Sequence, residues 1–162
     1  MNSALTLTVT ARGDREIVIE RGFEAPRQLV FDAYTKPELI RKWMLGPEVW
    51  TMPVCEVDLR VGGKYRYVWR NQKGMEMGMG GEILEIVPPE RMVSTEKFDQ
   101  SWYPGEAICT LTLTERGGRT LLMQVMKYES REAREAVLKS PMESGLSAGF
   151  DRLAELLAMG WS

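Results

Sequence analysis

Histidine is absent from the 162 residues of this chain. Its absence excludes Ser-His and Cys-His nucleophilic dyads, imidazole general bases and histidine metal sites together. Cysteine is scarce: Cys55 and Cys109 stand alone and far apart, which supports neither a disulfide framework nor a zinc site. No charge of one sign dominates, since 21 Lys and Arg face 23 Asp and Glu for a formal charge of −2. There is no basic surplus to neutralise a run of phosphates, so nucleic acid is not the expected partner. No apolar run approaches the ~20 residues that cross a bilayer. Residues 1–10 lack a positive cluster followed by an apolar stretch, so neither membrane insertion nor a secretory leader is expected. A cytoplasmic protein of a reducing compartment is the simplest expectation. Nothing calls for a cofactor: Gly78-Met79-Gly80-Gly81 sits within a strand pattern and lacks the strand–loop–helix setting of a phosphate-binding loop.

What is present is ordinary globular composition, 44% apolar and 27% charged. The length favours one domain over 1–162 that buries roughly 70% of its unfolded surface, with 1–14 as an N-terminal extension or extra strand. Leu5, Leu7 and Val9 alternate with threonines, and the alternation resumes from Glu16 to Phe23 after an Arg12-Gly13-Asp14 turn. Ala25-Pro26 then opens a helical segment carrying Leu29, Val30, Ala33 and Tyr34. Thr35 and Glu38 have the spacing of a capping box for a second short helix with Leu39, Ile40 and Trp43, ending near Gly46-Pro47. Six strand patterns follow, at Val49–Arg60, Lys64–Arg70, Met75–Val87, Arg91–Asp99, Glu106–Glu115 and Arg119–Tyr128. Their short separators predict an antiparallel meander. Pro53 marks its strand as an edge or a bulge.

The C-terminal segment reads as helix, Arg131 to Lys139 and then onward from Met142. A break is expected near Ser140, where Ser140-Pro141-Met142-Glu143 has a second capping-box spacing. Leu146, Phe150, Leu153, Leu156 and Leu157 form one stripe that also holds Gly145 and Gly149. The order predicts an α+β fold: a curved antiparallel sheet of about six to seven strands wrapped around a long C-terminal helix, with two short helices after the first strand.

Glycine within a helix costs ~1 kcal/mol against alanine, so Gly145 and Gly149 need a reason. Two stand open: close packing of helix on sheet, or space left for a small apolar molecule. Tyr65, Tyr67 and Trp69 share one strand face, as do Met75, Met77 and Met79. They are either ordinary core or the adaptable wall of a cavity. Trp43 and Trp50 are placed to roof one end, with indole N–H groups needing partners. The candidate ligand-lining set is Trp43, Trp50, Tyr67, Trp69, Met77, Met79, Phe98, Met142, Leu146, Gly149 and Phe150. Glu56, Asp58 and Arg60 read as a solvated outer face with local ion pairs. Glu76, Glu82, Glu96 and Asp99 are further carboxylates that strand parity can turn inward.

Arg15–Ile19 to Phe23-Glu24-Ala25-Pro26, Val30-Phe31-Asp32-Ala33-Tyr34-Thr35-Lys36-Pro37-Glu38, Trp43 with Gly46-Pro47, Asp58-Leu59-Arg60-Val61-Gly62-Gly63, Pro88-Pro89-Glu90-Arg91 and the Gly145–Leu157 helix form one set. Together these segments resemble the START-like (SRPBCC) superfamily, in the branch named after the activator of the Hsp90 ATPase. The resemblance implies a helix-grip fold with a cavity between sheet and helix, and a small apolar or amphipathic ligand. One departure is Trp43-Met44, where the family commonly has a Trp-Trp pair; it implies a softer residue near the pocket entrance. Two alternatives accompany ligand binding. One is an enzyme using a buried carboxylate on a ligand held in the cavity. The other is a protein–protein module, with an Hsp90-type chaperone or a second copy of the chain as partner.

Overall fold

In the computed structural model, which describes residues 6–45 and 50–160, one eight-stranded antiparallel sheet curves around the helices. Its strands are β1 (Thr8–Arg12), β2 (Glu16–Phe23), β3 (Thr51–Val57), β4 (Lys64–Arg70), β5 (Glu76–Val87), β6 (Arg91–Phe98), β7 (Ala107–Arg116) and β8 (Arg119–Lys127). The helices are α1 (Arg27–Thr35), α2 (Pro37–Trp43), α3 (Arg131–Leu138) and α4 (Met142–Met159). Sheet order is β1-β2-β8-β7-β6-β5-β4-β3. After β2, α1 and α2 carry the chain to the far edge, and the meander returns until β8 docks beside β2, with Ile19 opposite Gln124. The expected fold class holds. The strand count exceeds the expected range because residues 8–23 make two strands, the first pairing Thr8 with Glu20 at the sheet edge. Leu5 and the Gly46-Pro47 turn lie outside the described residues.

Local chemistry explains several element ends. Gly117 and Gly118 both take positive φ, 57° and 77°, the two-residue hairpin geometry that glycine adopts without strain. Pro53 lies on the edge strand β3 beside a register shift between Thr51 and Val54, where its missing N–H breaks no ladder. The α2 helix begins with Pro37, and its Glu38 and Arg41/Lys42 sit at the ends the helix dipole favours.

Both capping-box readings are corrected. Thr35 is the buried last residue of α1, and its hydroxyl donates back to the Phe31 carbonyl, 2.9 Å away. Ser140 likewise donates to the Val137 carbonyl at 2.6 Å, so neither hydroxyl faces a following helix. The helix that does have a side-chain cap is α3, where Ser130 Oγ accepts from the Ala133 N–H. The expected break before Pro141 is present, since α3 ends at Leu138 and α4 starts at Met142.

Two clusters of buried side chains fill the concave side. The larger gathers Ile17, Phe23, Val30, Trp43, Leu122, Phe150 and Leu153 from β2, α1, α2, β8 and α4. The smaller gathers Ile40, Met52, Cys55, Tyr67, Trp69 and Met79 from α2, β3, β4 and β5. The α4 helix rests against α2 and α1. Between the two clusters the packing is incomplete.

Candidate functional site

At that seam lies a cavity of about 230 Å³. Period-2 alternation builds its floor: β4 contributes Tyr65, Tyr67 and Trp69, β6 contributes Met92, Ser94 and Glu96, and β7 and β8 contribute Cys109 and Gln124. Met79 and Ile83 of β5 and Val57 of β3 complete it. The opposite wall comes from the helices, with Tyr34 of α1, Trp43 of α2, the following Met44, and Leu146 and Phe150 of α4.

Aromatic side chains form two banks across this space. Along β4 the Tyr65 and Tyr67 rings are 5.1 Å apart, and Tyr67 and Trp69 are 5.8 Å apart. Facing them, Tyr34 meets Trp43 edge-on at 5.0 Å, and Trp43 stacks on Phe150 at 5.9 Å. The indole partners are backbone groups. Trp43 Nε1 donates to the Ala33 carbonyl at 2.9 Å and Trp69 Nε1 to the Met44 carbonyl at 2.7 Å. Both indoles are therefore pinned, their polar atoms satisfied before any ligand arrives.

Polar groups cluster on the β6–β7–β8 part of the floor. Ser94 pairs across the ladder with Cys109, and Tyr34 Oη donates to Gln124 Oε1 at 3.3 Å. Burial pushes the Cys109 thiol and the Tyr34 and Tyr67 phenols above their ordinary values. Glu96 is the one carboxylate of the floor. Burial raises its pKa from 4.5 to about 7, and among the described residues no ion pair offsets that burial. Where β5 meets β6 beside it, the ladder opens: the Glu82 N–H bonds Thr95 Oγ1 at 2.9 Å, and the Thr95 carbonyl accepts from Tyr65 Oη at 2.5 Å. Only glycine fits at position 81, because a Cβ there would collide with that carbonyl.

Of the eleven candidate lining residues, the structure brings Trp43, Tyr67, Trp69, Met79, Leu146 and Phe150 to the cavity. Trp50, Met77, Phe98, Met142 and Gly149 are not in its wall. Met77 shares the face of Trp69, its cross-strand partner, but lies 41% exposed. Phe98 instead meets Trp102 at a tilt, with ring centres 4.9 Å apart. Among the weighed carboxylates, Glu76 pairs with Arg70 and Asp99 with Arg66 outside the cavity. The place of the Gly78 side chain is taken by that Arg66–Asp99 pair.

Gly149 corrects the idea that its missing side chain opens the void. A Cβ there would meet the Trp43 carbonyl oxygen at 3.3 Å and the indole ring at 3.6 Å. The glycine lets α4 approach α2, which is the close-packing alternative. Gly149→Leu is therefore expected to force the two helices apart and destabilise the fold by about 1–3 kcal/mol, measured by urea denaturation. A Leu variant as stable as the parent would show the contact to be unimportant.

The lining residues that the sequence reading did not assign to the cavity are Tyr34 of the helix wall and Val57, Ile83, Met92, Ser94, Cys109 and Gln124 of the floor. A signal existed for some of them. Gln124 shares strand parity with buried Leu122 and Met126, and Ser94 and Glu96 share parity with Met92.

A family model described as activator of Hsp90 ATPase homolog 1-like protein matches residues 24–158. The chain belongs to that family. Its fold is shared with solved structures from several bacteria. A Rhodobacter sphaeroides protein is 28% identical with a TM-score of 0.90, the match covering 95% of this chain and 99% of that one. A Chromobacterium violaceum protein is 31% identical with a TM-score of 0.74, covering 88% and 96%. A Mycobacterium smegmatis protein is 25% identical with a TM-score of 0.83, covering 95% and 99%. No curated protein matches. As a START-like member of the Hsp90-ATPase-activator homologue family, the chain places Met44 in the cavity wall, at the position where the family's second Trp was expected. Among the described residues no helix is long and apolar enough to cross a membrane, and no group of three or more His, Cys, Asp or Glu is placed to hold a metal ion.

Proposed function

We propose that this protein binds a small amphipathic molecule in the cavity between its sheet and its C-terminal helix. The observation that carries the reading is the void itself, which interrupts interiors otherwise packed like organic crystals. An engineered apolar cavity of about 150 Å³ accepts benzene. By that scale 230 Å³ suits roughly nine non-hydrogen atoms. The aromatic banks supply apolar burial at about 25 cal/mol per Å², and Ser94, Glu96 and Gln124 supply orientation at one end.

The test is native mass spectrometry of gently purified protein, followed by titration with phenyl-sized probes read by tryptophan fluorescence, since Trp43 and Trp69 stand in the wall. An adduct of small mass, or saturable quenching by a probe, is expected. No adduct and no probe binding at millimolar concentration would overturn the reading.

A second reading rests on Glu96 alone. A carboxyl poised near pH 7 is suited to move a proton to or from a bound molecule, which makes the cavity a reaction site as well as a binding site. That reading predicts loss of turnover in Glu96→Gln for any compound the parent protein is found to convert.

A further inference from the structure

The Glu96 carboxylate shares its end of the cavity with an unusual set of neighbours. Tyr65 and Tyr67 of β4 and Cys109 of β7 line the cavity with it, and Tyr103, in the β6–β7 connection, and Tyr128, just after β8, lie near enough for its charge to raise their phenols. Ser94 lies on the same face of its own strand. The helix wall opposite presents Trp43, Met44, Leu146 and Phe150, none of them ionisable apart from Tyr34 beside Gln124. Among the described residues no Lys or Arg pairs with Glu96. Glu96 is half-buried; a carboxylate partly withdrawn from water without a countercharge is unfavourable, and aromatic faces around it add attraction for a cation.

We propose that the cavity selects an organic cation, its ammonium-type head seated against Glu96 among Tyr65 and Tyr67 and its apolar body lying between Trp69 and Phe150. This rests on the cavity-binding reading above and adds the charge of the ligand to it. The ligand supplies the positive charge that the protein does not. A neutral molecule of the same shape recovers only apolar burial, and an anion is repelled.

The chemistry also sets a pH dependence. Burial holds Tyr34, Tyr65, Tyr67, Tyr103, Tyr128 and Cys109 above their ordinary values, so none of them ionises between pH 6 and pH 8. Glu96, raised to about 7, does. Its ionised fraction falls from roughly nine-tenths at pH 8 to roughly one-tenth at pH 6. Affinity for a permanent cation is therefore highest at the alkaline end.

The experiment compares phenyltrimethylammonium with tert-butylbenzene, which have the same shape and differ in charge, and the quaternary head has no proton of its own to titrate. Binding is followed by tryptophan fluorescence at pH 6 and pH 8 in the parent protein and in Glu96→Gln. The cation is expected to bind the parent at least tenfold more tightly than the hydrocarbon at pH 8, and to lose about tenfold at pH 6. Glu96→Gln is expected to remove both the preference and its pH dependence while leaving the hydrocarbon affinity within twofold. Equal or tighter binding of tert-butylbenzene at pH 8, or a preference retained in Glu96→Gln, overturns the proposal and leaves the cavity reading standing. Binding of neither probe brings down the cavity reading and the cation proposal with it.

Discussion

Leu146→Trp is expected to reduce binding of both phenyl-sized probes more than tenfold, with the unfolding midpoint held or raised. Leu146 reaches from α4 into the void, half-buried and opposite the β4 aromatic bank. An indole in its place extends into space that is otherwise unfilled. Filling an apolar void recovers about 24 cal/mol per Å³ of the packing deficit, so the variant keeps its fold while the binding space disappears. Paired fluorescence titration and thermal denaturation check this. Undiminished probe affinity in a folded variant would mean that the probes bind elsewhere. The contrast with Gly149→Leu is informative: both substitutions enlarge the same helical stripe, yet one points at the cavity and the other at the backbone of α2.

Phe150→Ala is expected to lower stability by about 3–5 kcal/mol. Phe150 is 1% exposed, meets Phe23 edge-on at 5.8 Å and lies stacked on Trp43 at 5.9 Å. It thus ties α4 to the first long strand and to α2 at once. Truncation leaves a hole that enlarges the existing cavity, so little collapse can offset the loss. For a chain of this size the midpoint falls by roughly 2–4 °C per kcal/mol, giving a drop on the order of 10 °C. A loss under about 1 kcal/mol in urea denaturation would show that α4 is held chiefly by its other contacts.

The two effects separate the parts of the wall. Phe150 holds the cavity open by fixing both of its sides, whereas Leu146 only borders it. A protein–protein module with a solid interior has no reason to distinguish them by ligand uptake, and stability would then follow buried area alone.

Much of this architecture is legible in local patterns. Period-2 alternation placed Tyr65, Tyr67 and Trp69 on one face, the glycine pair in Arg116-Gly117-Gly118-Arg119 marked a hairpin, and the apolar stripe with Phe150 and Leu153 marked the buried side of the last helix. These are one-dimensional signals, because side-chain direction repeats with the backbone. They reach only as far as one element. Met77 has the parity of Met79 but lies beyond the cover of the helices, a difference of position along the strand that alternation does not encode.

What the tertiary structure alone decided is where distant elements meet. The spacing of Thr35 and Glu38, and of Ser140 and Glu143, satisfies a capping rule, yet the hydroxyls turn back to Phe31 and Val137. The glycine at 149 is compatible with an open space or a close approach, and the carbonyl of Trp43, from a helix far earlier in the chain, selects the second. Glu96 has the alternation of any sheet residue. Only the return of β8 to β2, and the packing of α4 against α2, sets the helix wall of the cavity opposite it. Residue order thus determined the elements and their apolar faces, since those depend on neighbours in the chain. Burial, charge and the void depend on neighbours in space.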